Sequence, residues 1–216
     1  IWLTIGCVCI MLVARPQDEV GKLAQQLTAN SRNDREKVTR IFHWITDNID
    51  YRTPGNRTKV TGVFPGKIAD TEFEEDDFPL KPLNERAAET VLRNRVALCE
   101  GYSRLFAALC DHAGIRTEVI MGYARTNLYK PVPRFGVNHY WNAVYFEDQW
   151  HLLDATWASG YVTRDGSVFV REYDPFYFLA DPLSFSRDHF PDDPRWALLP
   201  DYVVPEEFKH SPFKQK

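Results

Sequence analysis

The spacing of apolar residues changes character at Gly114, and that change limits the architectures open to this chain. Before it, apolar side chains recur at helical intervals. They are Val20, Leu23, Ala24 and Leu27 in residues 17 to 29, Val38, Ile41, Phe42 and Ile45 in "SRNDREKVTRIFHWITDNIDY", and Ala87, Ala88, Val91 and Leu92 in "NERAAETVLRN". Steps of three and four place such residues on one face of a helix. After Gly114 the period becomes two in "RTEVIMGYA" (116 to 124), "NHYWNAVYF" (138 to 146) and "QWHLLDAT" (149 to 156), with "SVFVR" as a shorter fourth strand. Helices first and an antiparallel sheet second make an α+β domain.

Local signals divide the chain further. Asn33 or Ser31 suits the cap of the second helix, Asn84 that of the third, and Gly114 the end of a fourth over "CEGYSRLFAALCDHAG". Residues 53 to 82 form a long polar stretch rich in Pro, Gly and acids, expected to wall or lid a site. Its acidic run, Glu72 to Asp77, lacks the alternating ligand pattern of a calcium loop and reads as a solvated face. From Asp174 onward the prolines are too many for regular structure, while the aromatic content predicts packing against the domain.

With 216 residues the chain can bury one core. A net charge of -4 gives no electrostatic reason to expect nucleic acid or an acidic membrane as partner. The opening "IWLTIGCVCIMLVA" is uncharged and gives way abruptly to "RPQDE". Residues 1 to 16 therefore read as a signal core or membrane-anchor remnant, with a buried element of the fold as the competing reading. The first implies a secreted, periplasmic or membrane-anchored domain over 17 to 216, tethered through the apolar segment. The missing initiator Met suggests a piece of a longer protein with flanking domains.

If Cys7 and Cys9 leave with that segment, Cys99 and Cys110 are the remaining thiols. Eleven residues of one helix rise ~16 Å, against the ~5.5 Å between α-carbons that a disulfide needs, so they cannot pair within it. Exported domains favour disulfides, so at least one thiol has a reason to stay free. Cys99 falls in the first turn of its helix, where unpaired backbone N–H groups favour a negative charge and suit a thiolate. Cys110 follows Phe106 and Leu109 toward the core and reads as packing.

A thiol nucleophile needs a base, and the base an orienting partner. His139 and Asp154 stand on neighbouring strands of a hairpin turning near Glu147 to Gln149, and a symmetric register puts them within a few residues of facing each other. Asp154 is also the polar break in the apolar run "WHLLDATW", a costly burial unless hydrogen-bonded. Trp141, Tyr102 and Trp157 are candidates for cleft walls or oxyanion support, each with core packing as the alternative. Asn142 is placed to satisfy backbone groups. His43, His112 and His189 read as solvated, capping or packing residues, while His151 is a candidate to flank the site that strict alternation points away from Asp154. A zinc site from Cys99, His139, His151 and Asp154 lacks any closely spaced ligand pair, and no metal or cofactor is expected.

In "FHWITDNIDY", "LCEGYSRLFAALCDHAGI", "NHYWNAVYFEDQWHLLDATWASG" and "YFLADPLSFSRDHFPDDPRWALL", over roughly residues 35 to 200, the chain resembles the transglutaminase-like superfamily. The tail resembles the branch related to the kyphoscoliosis peptidase, which includes secreted bacterial members. The resemblance implies a papain-like fold with the nucleophile helix packed on the sheet. It also implies Cys99 as nucleophile, His139 as base and Asp154 as orienting acid. The Gly-Val pair common before the family cysteine is replaced by Ala97 and Leu98. The implied chemistry is acyl transfer through a thioester, to water in a cysteine peptidase or amidase, or to a lysine amine in a crosslinking enzyme. Protein or peptide is the implied substrate. A transglutaminase-like module without catalysis is the third reading.

Overall fold

A computed structural model describes residues 19–59, 81–125 and 137–200 of the chain. Helix α1 (Glu19–Thr28) and helix α2 (Asp34–Asn48) come first. The Asn33 side chain caps α2 by accepting from Glu36 N at 2.9 Å. Strand β1 (Asp50–Tyr51) and a 3-10 turn over Pro54–Lys59 follow. Helix α3 (Leu83–Asn94), strand β2 (Val96–Ala97) and helix α4 (Cys99–His112) complete the helical half. Asn84 is not the cap of α3. Pro82 holds that position with no side-chain bond, and Asn84 Oδ1 instead accepts from Arg104 on α4 at 2.8 Å.

The second half contains strands β3 (Thr117–Ala124), β4 (His139–Phe146) and β5 (Gln149–Leu153), then helix α5 (Ala155–Ala158). Strands β6 (Gly160–Val162) and β7 (Phe169–Arg171), helix α6 (Pro182–Phe185) and strand β8 (His189–Pro191) close the described chain. The main sheet is antiparallel in the order β5-β4-β3-β8, β1 and β2 pair in parallel, and β6 and β7 form a small hairpin. The domain is α+β, with helix α4 packed against the antiparallel sheet.

Helix α4 holds the two halves together. Tyr102, Leu105, Phe106, Leu109 and Cys110 on it are wholly buried among α1, α2, α3, β3 and β4. Each large apolar side chain taken out of water contributes about 1.5–3 kcal/mol, so burial of this face anchors the helix firmly. The other face of the sheet has its own core of Ile120, Trp141, Ala143, Leu152, Ala180 and Phe185. The tail supplies Ala180 and Phe185.

Two further expectations are corrected. The strand from 149 ends at Leu153, because Asp154 turns the chain into α5 as its N-cap. The tail is regular despite its prolines. Asp174-Pro175, Asp181-Pro182 and Asp193-Pro194 each start a single helical turn, with the aspartate accepting a backbone N–H at 2.9 to 3.1 Å. A proline at the first helical position lacks only an N–H that would be unpaired there anyway. Between these turns β8 adds to the sheet edge, where Pro191 is tolerated.

The N-terminal apolar segment, the acidic run at 72 to 77 and most of the 53 to 82 stretch lie outside the described residues. Among the described residues, no helix is long and apolar enough to cross a membrane.

Candidate active site

Cys99, His139 and Asp154 come from three separate elements; the fold joins His139 to Asp154 by a hydrogen bond and sets Cys99 near enough to act on the His139 charge. Cys99 opens α4. The parallel pairing of Tyr51 with Ala97 fixes the approach to it, and Gly101 lets the first turn press against its neighbours. A Cβ on Gly101 would lie 2.8 Å from Ala97 Cβ and 3.0 Å from Val91 Cγ2. Asn142 then clamps helix to sheet by donating to the carbonyls of Ser103 and Glu118, both at 3.1 Å. Leu98 at the N-cap offers no side-chain acceptor, so the first-turn N–H groups have no competing side-chain cap.

His139 begins β4 opposite Gly122 of β3. A Cβ at Gly122 would meet the Trp141 ring at 2.3 Å and the Phe190 carbonyl oxygen at 2.4 Å, so only glycine admits this packing. The hairpin register pairs Asn142 with Leu153, which delivers Asp154 at the end of β5 beside His139. His139 Nε2 and Asp154 Oδ2 lie 2.6 Å apart, both residues being buried. Cys99 stands near enough to His139 for its charge to act on the ring. With Nε2 held by Asp154, Nδ1 is the nitrogen left for the sulfur.

Burial alone would push the His139 imidazole down. The Asp154 charge and hydrogen bond, helped by Cys99, outweigh it and push the ring up to about 10. Burial would likewise raise Asp154, yet His139 and His189 hold its carboxyl well below the usual range. The carboxylate is fully used. Oδ2 faces the two imidazoles, while Oδ1 accepts from Thr156 N at 2.8 Å and Trp157 N at 3.1 Å as the cap of α5. One residue thus orients the imidazole and starts the helix that carries Trp157.

Of the aromatic candidates, Trp157 lines the cleft with its ring 5.2 Å from that of His139. Trp141 lies 6.0 Å from His139 but is buried in the second core. Tyr102 is buried beneath the site with its hydroxyl donating to Ile49 O at 2.6 Å. Both therefore support from behind rather than line the described opening. His151 stacks on Phe146 at 4.1 Å, apart from the cluster. His112 Nε2 faces Glu85 Oε2 at 3.1 Å, and His43 packs between Phe42, Tyr173 and Phe178. Cys110 is a buried thiol, pushed up to about 12 by burial.

Sequence reasoning missed His189. Its Nε2 lies 3.1 Å from Asp154 Oδ2 and its Nδ1 lies 2.6 Å from Asp188 Oδ1. The available signal was "DHFP", too short to read as a strand among prolines. The His139, Asp154 and His189 ligating atoms fall within 4.8 Å of one another, a spacing open to a metal ion. The hydrogen bonds between them already account for those atoms. Tyr51 was also missed. Burial raises its phenol, and the charges of Cys99 and Asp154 push it the same way, so it stands close to the site. Among the described residues, a cleft of about 1200 Å³ runs past His139, lined by Tyr51, Trp157, the β6–β7 hairpin, Tyr177 and Asp188. Arg171 braces its wall by donating to the carbonyls of Thr46 and Ile49 and to Asp50.

A model of the transglutaminase-like superfamily matches residues 70–155, a span holding Cys99, His139 and Asp154 but ending short of His189. That match marks residues 70–155 as a transglutaminase-like region. Kyphoscoliosis peptidase of Mus musculus is 32% identical over 194 residues, covering 89% of this chain and 26% of the mouse protein. Kyphoscoliosis peptidase of Homo sapiens is 35% identical over 180 residues, covering 82% of this chain and 24% of the human protein. The transglutaminase-like chain thus spans about a quarter of the length of these relatives. A solved structure titled as that of a TGase aligns with a TM-score of 0.42 at 17% identity, covering 78% of this chain and 40% of the other.

Proposed function

We propose that this transglutaminase-like domain is a thiol-dependent acyl-transfer enzyme that passes the acyl group to water, a cysteine peptidase or amidase acting on protein or peptide. One observation carries the reading: the buried His139 ring is hydrogen-bonded to Asp154 at 2.6 Å and has the Cys99 thiol near enough to act on its charge. A packing histidine has no need of both partners in a site that opens on a cleft.

The steps follow from the groups. His139 takes the Cys99 proton, and the sulfur adds to a carbonyl carbon lying in the cleft. The developing oxyanion faces the first turn of α4, whose Cys99 N–H is the nearest candidate donor. The tetrahedral adduct collapses as the C–N bond breaks, and imidazolium His139 returns its proton to the departing amine or ammonia. Water then loses a proton to His139 as it attacks the thioester, and the thiol is regenerated with release of the acid. Asp154 keeps the His139 tautomer that presents Nδ1 to sulfur and steadies the imidazolium. Water needs no second binding site in the cleft, which favours it as acceptor over a competing amine.

The test is a glutamine-containing peptide incubated with the chain and a labelled primary amine, read by mass spectrometry. Hydrolysis or deamidation lost in C99A is the expected result. Amine incorporation in place of hydrolysis assigns crosslinking instead. A folded C99A chain that keeps full activity would remove the enzyme reading altogether.

A further inference from the structure

We propose that His189 is a positioning residue acting through Asp154: it shares the carboxylate oxygen that orients His139, and so sets where that oxygen sits and how strongly it holds the base. The proposal rests on the Cys99, His139, Asp154 reading above. It adds a residue that lies beyond the span matched by the superfamily model.

Strand register brings the two imidazoles together. On β3, Gly122 pairs with His139 of β4 and Ala124 pairs with His189 of β8. Paired residues, and residues two apart, project from the same face. His139 and His189 therefore reach over the smallest side chains of the sheet toward one carboxylate, at 2.6 and 3.1 Å. A ring that only filled space would not need its polar atoms satisfied so fully. His189 is wholly buried, yet both its nitrogens face carboxylates.

The ring is also held in plane. Phe185 stacks on it at 4.0 Å and 25°, while Trp141 and Trp157 meet it edge-on at 5.1 and 4.6 Å. Asp188 grips the outer nitrogen at 2.6 Å and itself borders the cleft. An imidazole fixed by aromatic walls and an outer carboxylate is a rigid donor to Asp154. Without it, Asp154 Oδ2 would rely on His139 alone and could follow that ring as it moves.

The expected consequence has a sign. A donor on Oδ2 spreads the carboxylate charge between two rings, so its loss concentrates that charge on His139. The charged or titratable groups around the pair are Cys99 from α4, Tyr51 from β1, and Tyr177, Asp188 and His189 from the tail. Only the last is changed. Loss of one hydrogen bond to a charged group should raise the His139 midpoint by about one pH unit.

The experiment follows the His139 imidazole by 15N NMR against pH in the full chain, in wild type and in H189F, H189N and H189Q. Glutamine can place its amide nitrogen where Nε2 sits and keeps the donor to Asp154, whereas asparagine reaches only the Asp188 side. Phenylalanine fits the aromatic box without either bond. The His139 midpoint should rise in H189F and H189N, and by clearly less in H189Q, which keeps the donor to Asp154. If H189F does not fold, the contrast between H189N and H189Q decides. Equal midpoints in all folded variants, or equal shifts in H189N and H189Q, overturn the proposal. Iodoacetamide labelling of Cys99 in wild type and H139N separates this failure from that of the underlying reading. Labelling indifferent to His139 removes the triad itself, whereas His139-dependent labelling with unmoved midpoints removes only the role of His189.

Discussion

Replacing Asp154 with asparagine separates the two functions its carboxylate combines. In D154N the side-chain amide oxygen still accepts from Thr156 N and Trp157 N, so the cap of α5 survives. The other terminal atom becomes an NH2 group, placed against imidazole nitrogens that lie 2.6 and 3.1 Å from Oδ2 in the native site. Two donors cannot face each other. His139 must then carry its proton on Nδ1, toward Cys99, and can no longer accept the thiol proton there. The tautomer change predicts a fall in kcat of about 10²- to 10⁴-fold.

The stability cost of the same change is smaller. Each hydrogen bond to a charged group contributes ~1.5–3 kcal/mol net, and the amide recovers part of that by donating to the rings. The expected loss is thus ~2–3 kcal/mol. Asp154→Ala should cost about 1 kcal/mol more, because the α5 cap is lost as well. Urea unfolding gives the stabilities, and turnover of the glutamine peptide gives the rates. A folded D154N chain with more than a tenth of wild-type kcat would refute the tautomer argument. Equal stabilities for D154N and D154A would refute the dual role.

The other predictions read different parts of the site. His139 has a folded midpoint raised from 6.5 to about 10, so the stability it contributes is complete below pH 6.5 and is lost as pH rises through about 10. Urea titrations across that window should slope downward with pH in wild type and be flatter in H139N. Asp154 is depressed, so its contribution is present above its ordinary value of 3.8 and declines only as the pH falls further. Native iodoacetamide labelling near pH 8 should modify Cys99 and spare Cys110, whose thiol is buried and pushed up to about 12, with both labelled after unfolding. Gly122→Ala should destabilise the fold by ~1–3 kcal/mol, since its Cβ would intrude on the Trp141 ring and the Phe190 carbonyl. Asn142→Leu should strip the Ser103 and Glu118 carbonyls of a donor, lowering the urea midpoint and slowing the Cys99 reaction together.

What could be read from the sequence was whatever a local period or a short offset encodes. Val38, Ile41 and Ile45 mark a helix face, and the turn at Glu147 and Asp148 fixes the hairpin closely enough to bring Asp154 near His139. Three features were not legible, for one shared reason. Pro182 reads as a breaker until the preceding Asp181 is seen capping the turn it begins. Asp154 reads as a strand residue until its backbone partners show it to be a cap. His189 reads as tail until β8 pairs with β3 across more than sixty residues of intervening chain. In each case the meaning of a residue depends on a partner that no local pattern specifies.

That dependence explains why the tail belongs to the site. Phe185 fills the second core against Trp141, which lies two residues along β4 from His139. Removing the tail would expose Trp141 and Leu152 and would also take away a donor to Asp154. Packing and site geometry are therefore coupled through one short segment. A substitution that only loosens the packing, such as Phe185→Ala, should cost about 3–5 kcal/mol and should also let the His189 ring tilt away from Asp154. Its His139 midpoint should move in the direction predicted for H189F, although no polar atom has been changed. A destabilised F185A chain whose His139 midpoint is unmoved would show the two to be separable.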